Sequence, residues 1–76
     1  MTTTIKAEKI GNKYIELSID KYGVYTVDYC RMFYNVVYEM EMPLTLKSYT
    51  YRNEKQAKRQ YNAIKRKIRF KKLETI

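Results

Sequence analysis

The segment NEKQAKRQYNAIKRKIRFKK, residues 53–72, predicts a C-terminal helix and carries most of the protein's Lys and Arg. Asn53 suits the N-cap position, because its side chain can accept hydrogen bonds from the first free backbone N–H groups. No Gly or Pro interrupts the segment. The following apolar residues recur at the spacing of one narrow helix face: Ala57, Tyr61, Ile64 and Ile68. We therefore expect a helix from residue 54 to about residue 71.

The residues before this helix are typical of antiparallel strands. In KYIELSID, residues 13–20, apolar and polar side chains alternate strictly, which is the period of a strand with one buried face. Gly11-Asn12 has the composition of a two-residue hairpin loop. Asp20 and Gly23 predict a second turn, with Gly23 in the left-handed position.

The number of strands is left open by residues 24–51. The run VYTVDYCRMFYNVVYEMEM, residues 24–42, holds either two strands broken near Tyr34-Asn35 or one long bulged strand. Pro43 ends this run or marks an edge, and residues 44–51 are a candidate for a final strand. The order of strands followed by a helix predicts an α+β fold, in which a three- or four-stranded antiparallel meander (about 2–51) is packed by one C-terminal helix (about 54–71). We expect residues 1–76 to form a single small domain.

In the first strand, Ile5 and Ala7 alternate with Lys6 and Glu8. This pattern predicts a half-buried strand with its apolar residues on the inner face.

The net charge of +8 is concentrated in the C-terminal third. Residues 1–51 hold six Lys/Arg and six acids, whereas residues 52–76 hold ten Lys/Arg and two acids. A neutral body with one basic helix favours a polyanion as ligand. The cations expected to face solvent on the helix, and to hold phosphates, are Lys55, Lys58, Arg59, Lys65, Arg66 and Arg69. Arg52 and Arg31 would extend this surface at the sheet edge.

Nine tyrosines are present. Tyrosine suits the edge of a thin core, because its ring is apolar and its hydroxyl stays hydrated. It also stacks on unpaired bases. Tyr14 is the best candidate for stacking, since it lies opposite the Ile15 face that should meet the helix. Tyr25 and Tyr29 would join it if their strand presents that face outward.

The composition argues against catalysis and metal binding. There is no His and only one Cys, so an ordinary zinc site or a triad containing His cannot be assembled within one chain. No phosphate-binding glycine motif occurs. We expect no enzyme activity, no cofactor and no metal. The N-terminus lacks the apolar core of a signal peptide and no apolar run could span a bilayer, which predicts a cytoplasmic protein without membrane insertion.

The order of elements resembles the small β-β-β-α DNA-binding domains of tyrosine integrases, in which the sheet enters the major groove. The resemblance covers order and size, and here the charge lies on the helix instead. The segment NEKQAKRQYNAIKRKI, residues 53–68, is similar to the basic last helix of double-stranded RNA-binding domains.

Two hypotheses of function follow. The first is a non-catalytic module that binds DNA or RNA phosphates through its basic helix. The alternative is a protein-interaction module or inhibitor that binds an acidic protein surface through a Tyr/Met-rich sheet face containing Tyr38, Met40 and Met42. The C-terminal Phe70, Leu73 and Ile76 leave a homodimer contact open.

Overall fold

The computed structural model describes the backbone of residues 2–74 and the side chains of residues 2–69. Its elements in chain order are β1 (Thr3–Ile10), β2 (Lys13–Ile19), β3 (Tyr25–Asn35), β4 (Met40–Tyr51) and α1 (Glu54–Glu74). The strands form one antiparallel sheet in the order β1-β2-β3-β4, and α1 packs across one face of it. The predicted α+β fold is confirmed with four strands. The side chains of Phe70, Leu73 and Ile76, for which the sequence leaves packing on the sheet, fraying, a partner or a homodimer contact open, lie outside the described residues.

The two predicted turns connect the first three strands. Gly11 and Gly23 have positive φ angles of 61° and 78°, which glycine adopts at little cost. The Asp20 carboxylate accepts hydrogen bonds from the backbone N–H groups of Tyr22 and Val24 at 2.8 and 3.0 Å. These bonds close the β2–β3 connection and leave β2 and β3 in register.

The core lies between α1 and the central strands. Antiparallel pairing sets Leu17 opposite Val27 and Ile15 opposite Tyr29, all on the face that α1 covers. The predicted apolar stripe of α1 is buried against them: Ala57, Tyr61, Ile64 and Ile68. Half-buried tyrosines surround this core: Tyr25, Tyr29, Tyr49 and Tyr51. These four of the nine tyrosines lie at the core edge, so Tyr25 and Tyr29 do not share the outward face of Tyr14.

In β1, the prediction that Ile5 and Ala7 form its inner face is wrong. The pairing of β1 with β2 shifts by one residue between Thr4 and Lys6, which is a β-bulge. Lys6 therefore pairs with Leu17, and Glu8 points toward α1. Ile5 remains 42% exposed.

The β3–β4 hairpin extends beyond the rest of the sheet. Pairing between β2 and β3 stops at Lys13 and Arg31, whereas pairing between β3 and β4 continues to Asn35 and Met40. Residues 32–44 thus form a projecting two-stranded ribbon, called the arm below.

The arm exposes many large apolar side chains. Val36 and Val37 at its tip are 78% and 81% exposed. The other exposed large apolar residues of the arm are Phe33, Tyr34, Tyr38, Met40 and Leu44. Asn35 Oδ1 closes the tip by accepting hydrogen bonds from the backbone N–H groups of Val37 and Tyr38.

Candidate nucleic-acid interface

A side-chain cap begins α1. Asn53 Oδ1 accepts hydrogen bonds from the backbone N–H groups of Lys55 at 2.8 Å and Gln56 at 3.3 Å. These are two of the donors that a helix leaves unpaired in its first turn. The predicted cap is confirmed, and α1 starts directly after the end of β4.

The buried stripe determines which side chains of α1 face solvent. Successive residues advance by about 100° around a helix, so the arc opposite Ala57, Ile64 and Ile68 points away from the sheet. The exposed cations on this arc, called the outer ridge below, are Lys55, Arg59, Arg66 and Arg69. Asn62 lies exposed among them. Four of the six predicted helix cations therefore form one solvent-facing row.

The other two cations lie on the flank of α1 nearest β1 and hold carboxylates. Lys58 Nζ is 3.0 Å from Glu54 Oε1, which is an i,i+4 ion pair along the helix. Lys65 Nζ is 2.9 Å from Glu8 Oε1, and the Lys65 side chain is only 22% exposed. The prediction that Lys65 faces solvent is wrong, because the β1 bulge brings Glu8 beneath the helix.

Glu8 joins β1 to α1 through several contacts. Besides Lys65, its carboxylate accepts a hydrogen bond of 3.0 Å from the Tyr61 hydroxyl. The Lys65 hydrogen bond is the main reason that the pKa of Glu8 lies below its ordinary value, although desolvation opposes it. Burial, reinforced by Glu8, raises the pKa of Tyr61. This cluster fixes the rotation of the helix and hence the direction of the outer ridge.

A shallow depression opens on the solvent side of this flank. It has a volume of about 300 Å³ and is lined by Asn62, Lys65, Arg66 and Arg69. Guanidinium groups, an ammonium and an amide around one opening match the oxygens of a phosphate group.

Among residues 2–69, no carboxylate forms an ion pair with the outer ridge. Glu8, Glu41 and Glu54 pair with lysines that are not in the ridge. Glu16 and Asp28 accept hydrogen bonds from hydroxyls on the far side of the sheet. Asp20 caps a turn, and Glu39 lies at the arm tip. None is within ion-pair distance of Lys55, Arg59, Arg66 or Arg69. The positive potential of the ridge is thus not neutralised locally by these groups.

The remaining two predicted site residues lie apart from each other. Arg52 is exposed in the bend between β4 and α1, next to the start of the helix. Tyr14 lies on the face of the sheet that α1 does not cover, where its hydroxyl donates to Glu16 Oε1 at 3.3 Å. Burial and Glu16 raise the pKa of Tyr14. The structure does not bring Tyr14 together with the basic helix.

The uncovered face of the sheet does not resemble a surface that reads DNA. Glu16 and Asp28 stand directly opposite each other on it, bonded to Thr4 and Ser48 at 2.7 Å. Adjacent carboxylates repel phosphates. The sheet-in-groove binding mode implied by the likeness to integrase domains therefore finds no support in this chain.

Sequence reasoning missed a groove on the flank of α1 nearest β4. It has a volume of about 330 Å³, and its sheet side is formed by Tyr29, Lys47 and Tyr49. Its helix side includes Gln60 and Lys67. The two tyrosines come from different strands, so no local pattern in the sequence could have paired them.

The described part of the chain offers few residues for metal binding, membrane insertion or thiol chemistry. No group of three His, Cys, Asp or Glu side chains there could hold a metal ion. Within residues 2–74, no helix has the length and apolarity needed to cross a membrane. Cys30 is buried, and this burial raises the pKa of its thiol.

Comparison of the chain with protein-family models, with curated proteins and with solved structures finds no match.

Proposed function

We propose that this protein is a small, non-catalytic module that binds DNA or RNA through the phosphate backbone. The observation that carries the proposal is the outer ridge of α1. Four cations share one solvent-facing arc, while the described carboxylates are engaged or placed elsewhere. Like charges at i,i+4, such as Lys55 and Arg59, destabilise a helix by roughly 0.2–0.5 kcal/mol. Binding of a polyanion offsets this repulsion.

The contrast between paired and unpaired cations on α1, among the residues that the structure describes, supports this function. Lys65 is half-buried and neutralised by Glu8, as expected of a cation that helps to hold the fold. Arg66 and Arg69 extend from the adjacent arc into solvent and line the same depression. Arginine is well suited to phosphate, because its planar donors can bind two oxygens at once.

Fluorescence anisotropy with labelled duplex DNA, single-stranded DNA and RNA, across a series of salt concentrations, tests the proposal. We expect log Kd to vary linearly with log salt concentration. Arg59→Ala/Arg66→Ala should reduce the slope by about 2, because each lost phosphate contact removes about 1. The matched control is Lys9→Ala/Lys21→Ala, which removes the same charge from exposed positions outside the helix.

A slope that falls equally in both double variants would mean that only net charge matters and would contradict a ridge-specific site. The substrate with the highest affinity distinguishes DNA from RNA.

The arm favours a second candidate function, the binding of an acidic protein surface. Its exposed apolar side chains include Tyr38 and Met40, at 67% and 54%, which belong to the Tyr/Met-rich surface predicted from the sequence. Residues 32–44 contain no Lys or Arg, so the arm itself is unsuited to phosphates. In this function the arm supplies apolar anchors and α1 attracts the partner electrostatically.

Pull-down from nuclease-treated extract tests this candidate. The wild type, but not Tyr38→Ser/Met40→Ser, should recover one stoichiometric protein. Sedimentation of the purified chain identifies the case in which that protein is a second copy. A cytoplasmic location, the absence of enzyme activity and a single-domain organisation remain predictions within both proposals.

A further inference from the structure

The groove between α1 and β4 differs from the other depressions along the helix in its lining. The depression lined by Asn62, Arg66 and Arg69 has no aromatic ring. A third depression, beside β1, contains Tyr61, but that residue is only 1% exposed. The groove beside β4 combines two half-buried tyrosines with two exposed lysines.

The sheet register builds the floor of this groove. Tyr29 stands directly opposite Lys47, and Tyr49 lies two residues further along β4 on the same face. Diagonal neighbours of this kind are about 7–8 Å apart, within reach of aromatic rings. The rings of Tyr29 and Tyr49 therefore lie side by side at the open edge of the core, where both retain partial exposure.

The helix builds the opposite wall and leaves the space open. Gln60, Ala63 and Lys67 recur at i, i+3 and i+7, so they lie along one flank of α1. Ala63 is small, and a cavity of about 330 Å³ remains between the helix and the sheet. This volume lies in the range of small-ligand sites, roughly 300–1,000 Å³.

The charge around the groove is positive. Lys47 and Lys67 line it, and none of the carboxylates described in residues 2–69 belongs to its lining. Lys67 directly follows Arg66 in α1, so the groove adjoins the outer ridge. Two aromatic rings, an amide donor and acceptor, and cations at the rim are the kinds of group that bind a nucleobase next to its phosphate.

We propose that this groove holds one unpaired nucleobase of a strand whose phosphates lie on the outer ridge. The base stacks on Tyr49, since the Tyr29 ring already has Lys13 Nζ 5.7 Å from its centroid. Gln60 hydrogen-bonds the edge of the base, and Lys47 and Lys67 contact the adjoining phosphates. This inference rests on the proposed function and deepens it, because it makes single-stranded nucleic acid the substrate.

The test compares an oligodeoxythymidylate of about 12 nucleotides, a length within the range of small single-strand binders, with an abasic strand of the same phosphate count. Stacking of one base contributes between about 5- and 150-fold to affinity. We expect the wild type to prefer the base-containing strand by a factor in this range. The preference should disappear in Tyr49→Leu, while binding of the abasic strand is unchanged.

Tyr51→Leu is the matched control, because Tyr51 is equally half-buried on the same face of β4 but does not line the groove. Circular dichroism checks that both variants fold. Should Tyr49→Leu unfold, Gln60→Ala provides the second variant, with the same expected loss of base preference.

Each outcome separates the two proposals. Equal affinity for both strands with a steep salt slope would overturn the base site and leave phosphate binding intact. No binding of either strand at low salt would overturn both. An equal loss of the preference for the base-containing strand in Tyr49→Leu and Tyr51→Leu would also overturn the base site. Displacement of the strand by an equal concentration of thymidine monophosphate would overturn the assignment to a strand in favour of a free nucleotide.

Discussion

The two ends of the β3–β4 hairpin have similar compositions but different surroundings. Near Val27 the hairpin lies under α1, and Val27 itself is completely buried. Ten residues further, past the end of β3 and in the turn that follows it, Val37 is 81% exposed. Strands of the same hairpin are thus part of a core at one end and a bare ribbon at the other. Apolar residues in the covered half are explained by folding, whereas those of the arm are not.

The same contrast applies to the ion pairs. Glu8 and Lys65 meet beneath the helix with side chains 26% and 22% exposed. Lys9 and Glu41, which join β1 to the arm, are 49% and 53% exposed. Pairs in contact with water contribute little to stability, because the solvent screens them. The covered half therefore uses its charges to hold the fold, whereas the arm has only a weak electrostatic link to β1.

The largest difference between the two regions should be seen when a tyrosine is removed from each. Tyr61→Ala should lower the free energy of unfolding by about 3–5 kcal/mol, because a large buried side chain is lost. A domain of this size has a net stability of roughly 3–5 kcal/mol, so the variant should be largely unfolded by circular dichroism. Tyr38→Ala, in the arm, should change stability by less than about 0.5 kcal/mol.

Equal stability of Tyr61→Ala and Tyr38→Ala in urea unfolding would contradict the packing of α1 on the sheet. Tyr61→Phe refines the test, since it keeps the ring and removes only the hydrogen bond to Glu8. The free energy of unfolding should fall less in Tyr61→Phe than in Tyr61→Ala.

The two ion pairs should differ in how their contribution to stability depends on pH. The pKa of Glu8 is lowered in the folded protein, so its contribution to stability is complete above its ordinary value of 4.5 and is lost as the pH falls through the lowered value. Glu8→Gln should therefore reduce Tm at pH 7, and the difference from the wild type should vanish in acid. Glu41→Gln is the control and should reduce Tm less.

Thermal melts followed by circular dichroism between pH 7 and about pH 3 measure both variants. A Tm difference for Glu8→Gln that persists unchanged in acid would show that Glu8 does not act through its charge.

Most of the fold could be predicted from the sequence, because its signals are local. Strict alternation in β2, the Asn53 cap and the spacing of Ala57, Tyr61 and Ile64 each depend on neighbouring residues along the chain. The turn at Asp20 likewise follows from the conformations open to Asp and Gly. Such features need no knowledge of which strand lies next to which.

The parts that could not be predicted depend on pairing between distant segments. A bulge in β1 reverses the expected faces of Ile5 and Glu8, and a bulge is visible only once the partner strand is known. The pairing of Lys65 could not be predicted for the same reason, since its partner Glu8 is 57 residues away in the sequence.

The candidate site likewise has one part that depends on local sequence and one part that depends on contacts between distant segments. The outer ridge was predicted because a helix places residues on an arc by sequence spacing alone. The groove was missed because it joins Tyr29, Tyr49 and Gln60 from three elements.

The smallest expected effect on stability comes from the arm tip. Val37→Ser should change the free energy of unfolding by less than about 0.5 kcal/mol, because Val37 is exposed and buries little apolar area on folding. Urea unfolding measures this change, and Val27→Ser, at the covered end of the same hairpin, is the matched control that should be strongly destabilised. A large loss for Val37→Ser would mean that the tip already has a partner in the folded state, and concentration-dependent Tm would identify that partner as a second copy. An unchanged stability would show that the exposed valine at the tip has no role in folding.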